Sequence, residues 1–489
     1  MYDIIQNIIA ADIHEVIVEN VSSAAGQKTR LWNHTIRPMK VWHSRVFVLK
    51  GFYMKKQFFN YVLQSVIGMI GISVYILADT FFISIYSGAD GLTMLNLILP
   101  VYGVMFAIGS MIGIGSATRF TIDKASGKDV SFYFLNSLFF SVAASIPFVL
   151  IGIFFPKQVL EIMGADMALA ALGRDYVRIV MMAAPLFMMN YSFTAFVRND
   201  RAPTVAMAAA VSGSMFNVVF DYVFIFVLKG GLAGAALATA ISPVVTMLVC
   251  LTHLLSKKSG VVLNIKKAYV RPALKHFFYC IKLGTPAFIG EIANAVTTTV
   301  FNFLILGLTG NVGVAAYAII ANIALVAMSI FNGISQGIQP LISDNYGRSE
   351  MTEVKQVFRM GVVVSVTVMV LLFAGIWFNT ASLINIFNNS DNQQLFNYTY
   401  QGMHLYFTGL IFGSVNIIML TYFAATDRAK IAFIGSISRG VVMITLCAAV
   451  LSKLFGMTGI WVSFGVSEFL TFLIIILAKK DNGENVLEK

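Results

Sequence analysis

Apolar residues dominate the chain from about residue 58 onward, in long blocks that short polar connections separate. A membrane-spanning helix needs about 20 largely apolar residues, and the blocks predict twelve such helices. The fold class predicted is therefore an all-α polytopic membrane protein. The predicted spans are 58–87, 91–118, 131–155, 168–195, 203–228, 231–256, 275–308, 312–341, 356–386, 396–424, 428–453 and 456–478.

The polar connections alternate in charge, which predicts how the spans are oriented. Every second connection is rich in Lys and Arg, whereas those between them hold few charges. Because cytoplasmic connections collect Lys and Arg, we expect both termini in the cytoplasm, in a bacterial inner or plasma membrane. The basic connections hold Lys55, Lys56, Arg119, Lys124, Lys128, Arg198, Arg201, Lys257, Lys258, Lys266, Lys267, Arg271, Arg348, Lys355, Arg359, Arg428, Lys430, Lys479 and Lys480.

Composition excludes an ordinary soluble enzyme. Of 489 residues, 58% are hydrophobic and 12% are charged, against roughly 25% charged in soluble domains. The net charge of +11 fits the basic connections, so no nucleic-acid partner is expected. Because the sequence holds no Walker A, zinc-protease or nucleophile-elbow motif, we expect no catalytic residue, organic cofactor or structural metal. The three cysteines are expected to be small buried hydrophobic residues.

The chain repeats itself at an offset of 220–227 residues. Gly88-Ala89-Asp90-Gly91 before the second span matches Gly310-Asn311-Val312-Gly313 before the eighth. Two six-helix lobes related by a parallel repeat are typical of secondary transporters, with the binding site between the lobes. The predicted domains are a polar extension (1–53), with Met54 as the natural start by hypothesis, an N-lobe (54–256), a linker (257–275), a C-lobe (276–480) and a tail (481–489).

Five short motifs occur in a fixed order along the chain. They are Leu77-Ala78-Asp79-Thr80, Gly113-Ile114-Gly115-Ser116-Ala117, Gly127-Lys128-Asp129, Asn217-Val218-Val219-Phe220-Asp221 and Gly234-Ala235-Ala236-Leu237-Ala238-Thr239. Together they resemble the multidrug and toxic compound extrusion (MATE) family of the MOP superfamily. The element Asn217-x-x-x-Asp221 is most similar to its DinF-like branch, whose N-lobe site handles the coupling cation. The resemblance implies export of small molecules against an inward flow of ions.

Residue counting supports the same site independently. Asp79, Asp221 and Thr239 each lie eight residues from the outer end of their span, about 12 Å deep at 1.5 Å per residue. Tyr75 and Asn217 precede the two aspartates by four residues, and so share their helix faces. Desolvation and mutual repulsion favour the protonated form of at least one carboxylate. We therefore expect this cluster to bind H⁺, with Na⁺ held by the two aspartates and Asn217 as the alternative.

Two other intramembrane acids, Glu291 and Glu468, are candidates for a substrate site or a second cation site, with Arg439 as a partner for either. A glutamate in the seventh span resembles a feature of the NorM-like and eukaryotic branches. The C-lobe does not repeat the acid pair, since the offset places Phe301 and Ala448 at the equivalent positions.

Span one lacks the proline often found there in the DinF-like branch, so the hinge candidates are glycines and one proline of span seven. Glycine weakens a helix and proline removes one of its hydrogen bonds. The candidates are Gly68, Gly71 and Pro286.

The predicted function is a monomeric antiporter that exports amphipathic organic cations in exchange for H⁺ or Na⁺. The 24 Met and 41 Phe residues suit a broad cavity, because methionine is flexible and aromatic faces attract cations. The alternatives are a lipid-linked oligosaccharide flippase of the same superfamily, an intramembrane enzyme and a channel. The expected partners are the lipid bilayer and small-molecule substrates.

Overall fold

The computed structural model describes residues 32–263, 270–387 and 392–481. The chain divides into two compact units, Met1–Phe59 and Asn60–Lys489. The described part of the first unit is helical, and the second unit holds the transmembrane bundle. Parts of three predicted segments lie outside the described residues: 1–31 of the extension, 264–269 of the linker and 482–489 of the tail.

The first six spans are helices of 22–36 residues, one of them bent. The long helix Trp32–Ala125 is interrupted at Gly88, which separates span 1 from span 2. Span 4 is the pair Met167–Met182 and Ala184–Asn199, bent by 43°. The others are Tyr53–Gly88, Asp90–Ala125, Tyr133–Phe154 with the short helix Pro156–Ile162 after it, Pro203–Tyr222 continued by the π-helix Val223–Val227, and Gly231–Leu254.

The other six spans follow the same plan. Val270–Gly347 is interrupted at Gly310 and contains spans 7 and 8, and Met443–Asp481 is interrupted at Gly456, between spans 11 and 12. The remaining helices are Met351–Phe387 (span 9), Gln393–Tyr406, the 3₁₀ turn Phe407–Gly409 and Leu410–Ala425 (span 10), and Ala429–Ile437 with the π-helix Ser438–Val442 (start of span 11). Within the described residues, the predicted all-helical bundle of twelve spans is confirmed.

Several spans are longer than hydropathy predicted. Span 2 was predicted to end at 118 but continues to Ala125. Arg119 donates a 2.9 Å hydrogen bond to Asp123 one turn later. Oppositely charged residues four positions apart lie on one helix face and stabilise the helix. The helix therefore continues through charged residues at which the hydropathy pattern predicted its end.

Left-handed backbone positions reveal the duplication directly. Gly88 (φ 58°) and Gly310 (φ 65°) break the first long helix of each half. Gly231 (φ 55°) and Gly456 (φ 59°) open the sixth span of each half. Only glycine adopts positive φ without steric cost, so the chain turns between successive spans at corresponding places in both lobes.

The two lobes meet at the end of the bundle that carries most Lys and Arg, here called the basic end. Gln339 of span 8 donates a 2.9 Å hydrogen bond to Thr118 of span 2. Asn199, at the end of span 4, donates to the side-chain oxygen Oε1 of Gln339 over 3.1 Å. Ser126 donates to the backbone oxygen of Gly347 over 2.9 Å. At the opposite end, a methyl group on Gly88 or Gly310 would meet no atom within 4 Å.

A buried carboxylate secures the beginning of the linker at the same end. Asp200 accepts hydrogen bonds from Lys124 (2.6 Å), from the backbone N–H of Gly260 (2.8 Å) and from Ser259 (3.2 Å). His253 at the end of span 6 lies 3.0 Å away. Asp200 thus ties the start of the linker to the ends of spans 2 and 6.

Candidate functional site

The N-lobe acids lie inside the bundle, on three spans. Asp79 on span 1 is 8% exposed and Asp221 on span 5 is fully buried. Asn217, one turn before Asp221, donates a 3.3 Å hydrogen bond to Thr239 of span 6. The two carboxylates are close enough for their charges to interact. The structure therefore brings together the aspartates, Asn217 and Thr239 as one cluster, here called the N-lobe acid cluster.

Four oxygen atoms of this cluster are buried without a hydrogen-bond partner. They are Asp79 Oδ1, both carboxylate oxygens of Asp221, and Asn217 Oδ1. Within the described part of the chain, neither aspartate forms an ion pair or accepts a hydrogen bond. An ionised carboxylate in such surroundings is costly unless a cation or a proton compensates it. The chemistry of the cluster therefore suits a small cation or H⁺.

Tyrosines surround the cluster, and two of them escaped sequence reasoning. Tyr75 is close enough to Asp79 to interact electrostatically, but among the described residues it forms no hydrogen bond. Tyr102 of span 2 and Tyr176 of span 4 are almost fully buried, with hydroxyls 3.2 Å apart. Both interact electrostatically with the two aspartates. Tyr102 lies inside an apolar run, whereas Tyr176 lies between Asp175 and Arg178 and carries no such signal.

The equivalent region of the C-lobe is aromatic. Phe301, at the position that corresponds to Asp79, is fully buried and packs 5.1 Å from the ring of Tyr317 and 6.1 Å from that of Tyr406. Ala448, which corresponds to Asp221, is also fully buried. The lobes share a backbone plan but place different chemistry at this depth, as the offset predicted.

The C-lobe has its own buried charges, nearer the middle of its spans. Arg439 Nε donates a 2.7 Å hydrogen bond to Glu468, whose side chain is 2% exposed. Asn416 donates to the other carboxylate oxygen of Glu468 over 2.8 Å. Arg439 thus pairs with Glu468 and not with Glu291. In contrast to Asp221, Glu468 is compensated by a positive charge.

Both lobes contain a π-helix next to these charges. Val223–Val227 begins two residues after Asp221, and Ser438–Val442 contains Arg439. π-helical turns are rare and occur often at functional sites.

Glu291 lies on span 7, and Tyr75 is close enough to both Glu291 and Asp79 to interact electrostatically with each. Its Oε1 accepts a 3.1 Å hydrogen bond from the hydroxyl of Tyr191 on span 4. This bond joins the two lobes, since span 4 belongs to the N-lobe and span 7 to the C-lobe. Tyr191 was not among the residues predicted from the sequence.

The hinge candidates lie in continuous helix. Gly68 and Gly71 pack against span 5, where added methyl groups would lie 3.5 Å from Ala210 and 3.6 Å from Ser214. Pro286 lies inside span 7. The residue with non-helical backbone angles in the long helix Val270–Gly347 is Gly310, at the end of that span. Bending at these three residues remains a prediction.

Comparison with known proteins agrees with the duplicated architecture. The MatE family model matches the chain twice, over residues 65–223 and 286–449. The chain belongs to the MatE family. The two matches cover spans 1–5 in the N-lobe and most of spans 7–11 in the C-lobe, so the family unit occurs once in each lobe.

Curated relatives of this MatE chain are export proteins. The multidrug export protein MepA of Staphylococcus saprophyticus is 26% identical over 424 residues, which cover 86% of this chain and 92% of that protein. MepA of Staphylococcus aureus is 25% identical over 427 residues, with the same coverage.

Solved structures share the fold at lower identity. A multidrug resistance MATE family transporter of the MOP superfamily, in an outward-facing conformation, superposes with a TM-score of 0.81 at 20% identity, over 88% of this chain and 96% of that one. A MOP superfamily transporter from Pyrococcus furiosus, described as having a binding pocket of reverse polarity, superposes with a TM-score of 0.79 at 20% identity, over 88% and 97%.

Proposed function

We propose that this MatE chain is a multidrug exporter that moves amphipathic organic cations out of the cell in exchange for H⁺. The observation that carries the proposal is the set of unpartnered oxygens in the N-lobe acid cluster. Two uncompensated carboxylates within a membrane need a bound positive charge. H⁺ is the proposed coupling ion and Na⁺ is the alternative.

Coupling follows from the location of the cluster inside one lobe. A ligand shifts a conformational equilibrium only by its differential affinity for the two states. Protonation neutralises Asp79 or Asp221 and changes the polar packing among spans 1, 5 and 6. We propose that this change biases the rocking of the lobes between inward- and outward-facing states.

The basic end of the bundle is assigned to the cytoplasm in this proposal. Lys and Arg concentrate on the cytoplasmic side of membrane proteins, and the lobes are bonded together at that end, for example between Gln339 and Thr118. The conformation is then outward-facing, with both termini cytoplasmic in a bacterial cell membrane.

Export of cationic drugs is proposed from the names of the relatives and from the charges of this chain. The MepA proteins are named as multidrug export proteins. The N-lobe acid cluster and Glu291 give the interior negative charge, which favours cationic substrates over anionic ones. The arrangement supports a drug exporter better than a flippase for lipid-linked oligosaccharides, whose pyrophosphate requires positive charge.

The experiment is transport in proteoliposomes loaded with a fluorescent organic cation. Dye movement is followed under a pH gradient or under a Na⁺ gradient, with the wild type, Asp79→Asn and Asp221→Asn. The matched control is Asp90→Asn, because Asp90 is the exposed first residue of span 2. The proposal expects movement driven by the pH gradient in the wild type and the control, and its loss in both test variants. Wild-type transport rates in the test variants would refute the proposal. Dye movement under the Na⁺ gradient alone would show that the coupling ion is Na⁺ and not H⁺.

A further inference from the structure

We infer that the Tyr191 hydroxyl bonds to Glu291 in the empty transporter and that a positively charged N–H group of the exported cation displaces it. This inference rests on the proposed function, because it identifies where the organic cation binds. It assigns Tyr191 as a specificity-determining residue. The Tyr191 hydroxyl donates a 3.1 Å hydrogen bond to Glu291 Oε1, and the surroundings of both side chains suit an organic cation.

Span 4 packs closely against two glycines of span 2 at Tyr191. A methyl group on Gly109 would lie 3.1 Å from the Tyr191 ring, and one on Gly113 would lie 2.6 Å from the Tyr191 carbonyl carbon. Such distances leave no room for a larger residue at either glycine. The backbone of Tyr191 therefore belongs to the packed interior of the N-lobe, from which its hydroxyl reaches Glu291 on span 7.

Glu291 is an acid whose charge no cation balances. It lies about 25 Å from either end of span 7, at 1.5 Å per residue. In the described ranges, its single hydrogen bond is the one from Tyr191, and it forms no ion pair. A methyl group on the preceding residue, Gly290, would meet no atom within 4 Å. A phenol is a weak substitute for a cation, so an ammonium group binds this carboxylate better.

Aromatic rings line the N-lobe side of this site. Phe106 lies 6.2 Å from the ring of Tyr191 and 5.6 Å from that of Phe187. Faces of aromatic rings attract organic cations, most strongly where water is excluded. A carboxylate opposite an aromatic wall suits an amphipathic amine with a flat apolar body.

Displacement of Tyr191 would also couple binding to movement of the lobes. The bond joins the N-lobe to the C-lobe near the middle of the spans, so it resists their separation there. When a positively charged N–H group of the substrate binds to Glu291, it replaces the bond from Tyr191 and forms its own contact with the carboxylate. Empty and loaded transporters then differ in how strongly the lobes are held together at this level.

The test is equilibrium binding to the purified full chain without any gradient. The probes are rhodamine 6G, which carries N–H donors, and tetraphenylphosphonium, which carries none. The variants are Tyr191→Phe, which removes only the competing hydroxyl, and Glu291→Gln. The control is Tyr317→Phe, which removes a buried hydroxyl from the aromatic cluster of the C-lobe.

Loss of a hydrogen bond to a charged group corresponds to about a tenfold change in affinity. We expect Tyr191→Phe to bind rhodamine 6G about tenfold more tightly than the wild type does, and Glu291→Gln to bind it at least tenfold more weakly. The affinity for tetraphenylphosphonium should fall less in Glu291→Gln than the affinity for rhodamine 6G does, because tetraphenylphosphonium donates no hydrogen bond. Tyr317→Phe should match the wild type.

Wild-type affinity in Tyr191→Phe, in a preparation that still binds the dye, would overturn this inference and leave the proposed function standing. A wild type that binds neither probe would overturn both.

Discussion

Arg119 of the N-lobe and Asp427 of the C-lobe form an ion pair of 3.1 Å across the lobe boundary, at the basic end of the bundle. Tyr279 of span 7 donates a 2.6 Å hydrogen bond to the same aspartate. The Arg119 guanidinium also lies 4.5 Å from the centre of the Tyr279 ring. Arg119 must separate from Asp427 and from Tyr279 before the lobes can open at that end.

Neutralising Asp427 should therefore favour the state that is open at the basic end. In Asp427→Asn, Arg119 loses its inter-lobe partner, and we expect the population of that state to rise about tenfold. Cys280 is a native reporter, because it is 2% exposed and its backbone oxygen meets Gly115 of the other lobe. The measurement is the maleimide labelling rate of Cys280 after the other two cysteines are replaced by alanine.

The matched control for this prediction is Lys128→Gln. Lys128 pairs with Asp123 over 3.2 Å, so this variant breaks an ion pair of the same network inside one lobe. Its labelling rate should equal that of the wild type. Equal rates in Asp427→Asn and in the control would show that the inter-lobe pair does not hold this end closed.

Gly284 should not tolerate a side chain, because the lobes touch there. A methyl group on Gly284 would overlap the backbone oxygen of Met111 on span 2. We expect Gly284→Ala to prevent closure at the basic end and to reduce transport at least tenfold. Gly103→Ala is the control, since a methyl group there would meet no atom within 4 Å. Transport by Gly284→Ala at the control's rate would contradict this packing.

The Arg439–Glu468 pair should stabilise the C-lobe only while both charges remain. Removing one partner of a buried ion pair costs about 3–5 kcal/mol, whereas replacing both by apolar groups is often neutral. We expect Glu468→Leu to lower the free energy of unfolding strongly and Glu468→Leu/Arg439→Met to recover most of it. Unfolding temperatures in detergent measure the difference. Equal losses in the single and double variants would contradict the pairing.

Hydropathy predicted the number and order of the spans because lipid requires long apolar helices wherever the chain crosses it. Boundaries were less accurate, as in span 2, where paired charges such as Arg119 and Asp123 continue the helix beyond the apolar block. The repeat was visible because glycines such as Gly88 and Gly310 have a fixed conformational role in both halves.

The proximity of the candidate residues could be predicted only where helix periodicity was sufficient. Asp79, Asp221 and Asn217 could be brought together by depth and helix face. Tyr191 and Tyr102 could not, because their contacts depend on how separate spans pack. The sequence could not decide whether Arg439 pairs with Glu291 or with Glu468. The π-helix that contains Arg439 changes the direction in which its side chain leaves the helix.

In the proposed mechanism, protonation of the N-lobe acid cluster and binding of the organic cation oppose each other. Each one lowers the affinity of the protein for the other. The most direct test adds rhodamine 6G to lightly buffered purified protein and measures proton release between pH 6 and 8. Reciprocal coupling predicts that dye binding expels H⁺ from the wild type and expels none from Asp221→Asn, although that variant still binds the dye. The same proton release from both proteins, or dye binding to the wild type without any release, would contradict the account.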